Sequence, residues 1–407
     1  MRIAHIFLVL AFTFPSCCGA QGAKIDWLGD LNYLAAELPK RHVNLFAVLR
    51  EEEFNTRVDA LRQSLTGRSD IGVTVELMRV VTGVGDGHTA MIPDTKTFHF
   101  LPLSFHWFPD GVYVVAAGPA HESAFGAKVL RVGSMQTDEI LSGLRKILSH
   151  DNESQFKNMA ANLFGTVELL VGIGAINDGN EIELELIKND KPITMKCRSH
   201  GVDEISRIQW TKRTGATPIY QQKGQLDHWN DWLADSHTLY FKYNRCQNRE
   251  AFDKLVAGTA GFIQKNDVQN FVLDLRDNPG GDSSIFPPLL KLVKGNKNLN
   301  QKNRLFVIIG RRTFSSAVLN AMEMKQTNAT FVGEPTGGRP NHFGEVKTMT
   351  LPSSKLQVSF STKYFRTIKD ADPDSLVPDV MIEMTVDDWL AGRDPVLEKA
   401  LELSGSR

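Results

Sequence analysis

Two adjacent serines, Ser315 and Ser316, stand where one kind of pattern gives way to another. The apolar run LFVII (residues 305–309) reads as a buried strand. After a short turn, Ala317, Val318, Leu319, Ala321, Met322 and Met324 repeat at helical spacing. A serine at such a strand-to-helix corner presents its hydroxyl beside the first free N–H groups of the helix. Nucleophilic serine enzymes reuse that geometry on unrelated folds. An ordinary helix N-cap uses the same residue type, so either serine could also be a cap.

Two other segments offer complementary chemistry. The first is DLRDNPGG (residues 274–281), at the end of residues 268–275, which read as a strand. Gly280 and Gly281 would let the backbone approach a ligand closely and aim N–H groups at a developing oxyanion. Asn-Pro and Gly-Gly are equally ordinary turn dipeptides. The second is GVGDGHT (residues 83–89), whose three glycines make it a tight turn after a helix. It carries His88, a side chain suited to proton transfer near neutral pH, or else a solvated loop residue.

These segments need elements to hold them. Residues 25–97 read as a helical region, with Trp27, Leu28, Leu31, Leu34 and Leu38, then Phe54, Val58, Leu61 and Leu65, at helical spacing. Residues 98–200 read as a β-rich module with an inserted helical piece, and 201–235 as a linker containing Trp210, Trp229 and Trp232. Residues 236–407 alternate strand and helix, which argues an α/β core. A single helix is expected over residues 389–403.

The 407 residues carry a formal net charge of −1 and no basic run, which excludes a nucleic-acid electrostatic footprint. Residues 1–20 follow a secretory signal pattern, with an apolar run at 6–14 and small residues at Cys18-Gly19-Ala20, so cleavage after Ala20 and export are expected. Cys17 leaves a lipid anchor open. Of the four cysteines, Cys197 and Cys246 would survive cleavage, and a disulfide between them is open. There is no CxxC and no Cys/His cluster, so neither a metal nor any other cofactor is expected.

Taken together, FVLDLRDNPGGD (271–282), TFSSA…FVGEPTGG (313–338), the terminal VPDV and GRDPVLEKAL, and GVGDGHT resemble the tail-specific, or C-terminal-processing, serine peptidases. The closer likeness is to their tricorn-core and interphotoreceptor-retinoid-binding-protein branch. That resemblance implies a crotonase-like α/β core, a PDZ-like module at 98–200 and a polypeptide substrate. No Gly-Leu-Gly-Phe-type carboxylate loop precedes Val112. The resemblance makes Ser315 the nucleophile, with Ser316 as the alternative in register, and draws the oxyanion donors from Gly280, Gly281 and the N–H of Ser316. Where processing peptidases carry a lysine base, this chain has Arg339, which cannot accept the serine proton. The tricorn-like pattern brings in His88 instead, oriented by Asp372, with Asp374 and Glu345 as alternatives. His342 is a rival base or, with Arg339, a substrate-facing residue. The interphotoreceptor branch implies a second reading, an apolar-ligand-binding protein on the same scaffold.

Overall fold

The computed structural model describes residues 24–92, 96–177, 180–211, 213 and 215–405. The signal-peptide reading of residues 1–20 therefore falls outside the described residues.

The C-terminal half is built on a six-stranded sheet. Its strands are ordered His228–Leu233, Thr238–Tyr243, Asn270–Asp274, Leu305–Ile309, Thr330–Gly333 and Val380–Met381. The first pair is antiparallel and the other four pairings are parallel. The four inner strands are buried along their whole length, as continuous apolar runs in a parallel sheet must be. Helices Arg249–Lys265, Pro287–Gly295 and Ser316–Met324 pack with one apolar cluster on the sheet, and Pro395–Leu403 with another. This is a mixed α/β fold, as expected.

The strand His228–Leu233 corrects the linker reading. Only Trp229 of its six residues is buried, so an edge strand passed for a connector. The helix expected over 389–403 is two helices, Val386–Ala391 and Pro395–Leu403. Pro395 cannot donate the N–H that a continuous helix needs, and Asp394 caps the new start by accepting from Leu397.

The N-terminal half joins helices Trp27–Arg41, Glu51–Ser64 and Asp70–Thr82 to an antiparallel sheet that includes Leu103–Phe108, Gly111–Ala117, Lys128–Val132, Glu181–Lys188 and Lys191–Arg198. One extensive apolar cluster serves both. Cys197 and Cys246 are each buried and free, in different halves of the chain, so the open disulfide is not formed.

A long hairpin, His342–Thr350 with Gln357–Phe365, ties the halves together. Its second strand pairs antiparallel with Ala90–Ile92, the strand that follows the GVGDGHT turn. Its tip is held by the buried carboxylate of Asp30, which accepts the N–H groups of Ser353 and Ser354 at 2.7 Å each. The turn bearing His88 is thereby carried to the C-terminal half.

Candidate active site

Ser315 ends the turn between Leu305–Ile309 and Ser316–Met324 with φ +51° and ψ −127°. A side chain in that region is strained and persists only where its surroundings over-determine it. The surroundings do so here. Thr313 donates its hydroxyl to the Leu275 carbonyl at 2.9 Å, and Phe314 donates its N–H to the Asn278 carbonyl at 3.0 Å. The serine corner is thus bolted to the DNPGG loop. Gly280, at φ +104°, closes the fit: a Cβ there would stand 2.8 Å from Ser315 Cβ and 3.0 Å from the Ser316 nitrogen. Only glycine leaves that space open.

The two serines differ in what their hydroxyls do. Ser316 is buried and donates to the Gly281 carbonyl at 2.6 Å, so it is committed to holding the loop. Ser315 is partly exposed and its hydroxyl meets no hydrogen-bond partner among the described residues. The amides divide in a similar way. Gly280 N–H is spent on Asn278 Oδ1 at 2.9 Å, which removes it from the expected oxyanion donors. The N–H groups of Gly281 and Ser316 meet no acceptor among the described residues.

His88 lies in the turn after the helix Asp70–Thr82 and is buried. Its ring is stacked between Phe314, at 4.3 Å, and His342, at 5.5 Å between centroids. His342 stacks in turn on Phe365 at 5.4 Å. Phe314, the neighbour of Ser315, therefore makes the contact between the histidine and the serine corner. Neither ring nitrogen of His88 has a hydrogen-bond partner. Burial, opposed by Asp86 and aided by His342, pushes its pKa down to about 4, so the imidazole is neutral at pH 7.

The carboxylate beside His88 is Asp86. Its Oδ1 accepts the His88 N–H at 2.9 Å and lies 3.8 Å from Nδ1, just beyond hydrogen-bond reach. Its Oδ2 accepts from Thr89 and Ser361 hydroxyls at 2.6 Å each and from His42 Nε2 at 3.1 Å. His42 Nδ1 accepts the Asn44 N–H, which leaves the proton on Nε2. Burial by itself would raise the Asp86 pKa, but His42, His88 and the two hydroxyls outweigh it and hold it at about 2.

The carboxylates expected from the sequence lie elsewhere. Asp372 and Asp374 are exposed and grip Arg339 at 3.1 and 2.9 Å. Glu345 is exposed and faces Lys363 at 3.6 Å. These side chains hold cations at the surface, whereas Asp86 lies beside the imidazole. Asp86 sits inside the motif that singled out His88, two residues before it, and was read there only as part of a turn. His342 is buried and donates Nδ1–H to the Arg339 carbonyl at 2.8 Å, and burial lowers its pKa.

Asp151, between the helices Thr137–Arg145 and Glu153–Leu163, was not singled out in the sequence. Its Oδ1 accepts the Gly87 N–H at 2.7 Å; its Oδ2 is buried and makes no well-formed hydrogen bond, although the backbone N–H of Arg339 faces the carboxylate. Burial and the nearby Asp86 raise its pKa to about 7. A Cβ on Gly87 would come within 2.7 Å of that Oδ1, so glycine is required beside His88. The next residue, Asn152, reaches the Thr336 carbonyl at 3.0 Å and the Asp374 carbonyl at 2.6 Å. This segment bridges the histidine turn to the loops that follow Gly333.

No protein-family model and no curated protein matches the chain. Solved structures do. Mature CPAF complexed with lactacystin aligns with a TM-score of 0.64 at 12% identity, over 94% of this chain and 99% of that one. Mature CPAF alone gives 0.64 at 13%, over 93% and 98%. A CPAF mutant gives 0.64 at 11%, again over 93% and 98%. Over nearly its whole described length, the chain shares its fold with mature CPAF.

Proposed function

We propose that this chain is a serine endopeptidase of the tail-specific type, with Ser315 as nucleophile and His88 as base. The observation that carries the reading is the Ser315 corner: a strained, uncommitted hydroxyl next to two uncommitted amides, those of Gly281 and Ser316. Ser315 Oγ attacks the peptide carbonyl while its proton passes to His88. The carbonyl oxygen becomes an oxyanion held by those two N–H groups. The imidazolium is then stabilised by Asp86, and returns its proton to the leaving amine. Water releases the acyl group by the reverse sequence. In the free protein no hydrogen bond joins Ser315 to His88, so substrate binding must bring the two into register.

We assign a crotonase-like core to residues 236–407 and a PDZ-like role to residues 98–200 on the sequence resemblance, with which the mixed α/β sheet and the antiparallel module are consistent. Export after cleavage at Ala20 fits the composition of residues 1–20. The unmade Ser315–His88 bond also favours a second reading, a binding protein that holds an apolar or peptide ligand without turnover. Unfolded casein incubated with the purified chain separates the two. The peptidase reading requires cleavage that Ser315→Ala abolishes with the fold intact, and cleavage undiminished in that variant would overturn it.

A further inference from the structure

Asp86, His88 and Asp151 form the only grouping of three potential metal-ligating side chains among the described residues. One donor atom from each lies within 4.8 Å of the other two. Acidic clusters alone mean little, because surface carboxylates gather without binding anything. This grouping differs in what is left unmet. His88 is buried and both its ring nitrogens lack a partner, while Asp151 Oδ2 is buried with no well-formed hydrogen bond, faced only by the backbone N–H of Arg339. Buried polar atoms are seldom orphaned, and an orphan in a native protein calls for an explanation. Peptide hydrolysis uses one His88 nitrogen and sets Asp86 3.8 Å from the other, but it gives no role to the buried Asp151 carboxylate beside them.

The donor set selects the ligand. One neutral imidazole and two carboxylates suit zinc and similar first-row divalent ions, whereas calcium and magnesium prefer oxygen alone. Three protein ligands with a fourth position for water is an ordinary zinc arrangement. Zinc bonds of about 2.0–2.2 Å place tetrahedral ligands about 3.4 Å apart. The three donors, now within 4.8 Å of one another, would have to close by up to about 1.4 Å to reach that spacing. The outer supports exist. Asp86 is fixed by Thr89, Ser361 and His42, and Asp151 by Gly87, as metal ligands are usually held by a surrounding layer of hydrogen bonds.

We propose that Asp86, His88 and Asp151 bind a zinc-class divalent cation, and that the bound ion shuts off the site by occupying the imidazole that would take the serine proton. The regulatory half of this proposal rests on the peptidase reading; the binding half does not. Asp151→Asn removes the charge but keeps an oxygen for the Gly87 N–H, so it tests the ligand without dismantling the turn. His88→Ala provides a second, independent deletion.

The test is a calorimetric titration of the purified full chain with zinc chloride, alongside the rate at which a fluorophosphonate labels Ser315. One zinc should bind per chain with a micromolar or tighter Kd. Each variant should weaken that binding at least tenfold. Labelling of the wild type should slow in step with zinc occupancy and recover on adding EDTA. No binding up to millimolar zinc, or binding untouched by both substitutions, overturns the site even if Ser315 labels normally. Binding as expected in a chain whose Ser315 never labels keeps the site and removes the peptidase reading it would regulate.

Discussion

Asp86 contacts His88 twice: its Oδ1 accepts the histidine's own backbone N–H at 2.9 Å and stands 3.8 Å from the ring Nδ1. One carboxylate thus fixes the main chain of the proposed base and places a negative charge beside its ring edge. Its remaining oxygen is held by Thr89, Ser361 and His42, so it has little freedom to turn away.

The identity of the orienting carboxylate follows from that contact. Asp86→Asn should lower the rate of peptide hydrolysis by up to about 10⁴-fold, the loss seen when the carboxylate of a serine triad is neutralised. Asp372→Ala, which only releases Arg339 at the surface, should stay within about threefold of wild type. Steady-state kinetics on one peptide substrate decides the matter. The reverse ranking would restore Asp372.

The two serines should separate cleanly. Ser315→Ala removes the nucleophile. Ser316→Ala removes a side-chain bond to Gly281 and leaves its backbone N–H in place. The second variant should keep activity within about tenfold while losing about 1–2 kcal/mol of stability, the cost of a buried carbonyl deprived of its donor. Urea unfolding measured beside the kinetics checks both halves.

Gly280→Ala tests the fit of the DNPGG loop against the serine corner. The added methyl meets Ser315 Cβ at 2.8 Å and must be carried at φ +104°. Activity should fall at least 10²-fold with stability lowered by about 1–3 kcal/mol. A fully active variant would show that the loop does not shape the site.

Acid stability has a local source away from the site. Lys242, wholly buried, donates to Asp274 at 3.0 Å and to Asp277 at 2.7 Å. Burial acts to raise the Asp277 pKa, but Lys242 and Arg312 outweigh it and bring it from 3.8 to about 2. A carboxyl depressed in the folded state stabilises the protein above its unfolded pKa and stops doing so as pH falls through its folded one. The contribution, about 2 kcal/mol at most, should therefore be complete above pH 4 and fade towards pH 2. Unfolding midpoints measured between pH 5 and 2 should drop less steeply in Asp277→Asn than in wild type. Parallel slopes would contradict this.

Much of this arrangement is readable in the sequence because it depends on local backbone chemistry. The LFVII run before a serine pair announces a strand-to-helix corner, and DNPGG announces a loop able to approach it closely. What the sequence hides is contact over distance. Asp151 is an unremarked aspartate until folding sets its oxygen against Gly87, 64 residues away. Gly280 and Gly281 look interchangeable as donors, and only the Asn278 side chain distinguishes them. Asp372 seemed apt from its place before the VPDV segment, yet Arg339 claims it. His228–Leu233 passed for a linker because an edge strand buries little and shows no clean alternation.

The central claim is that Ser315 is a nucleophile activated by His88. The most direct measurement is to treat the purified chain with a fluorophosphonate at pH 8 in EDTA and locate the adduct by mass spectrometry, with His88→Ala and His342→Ala in parallel. The account predicts a single adduct on Ser315, lost in His88→Ala and retained in His342→Ala. An adduct that survives removal of His88, or that forms on Ser316, would contradict it.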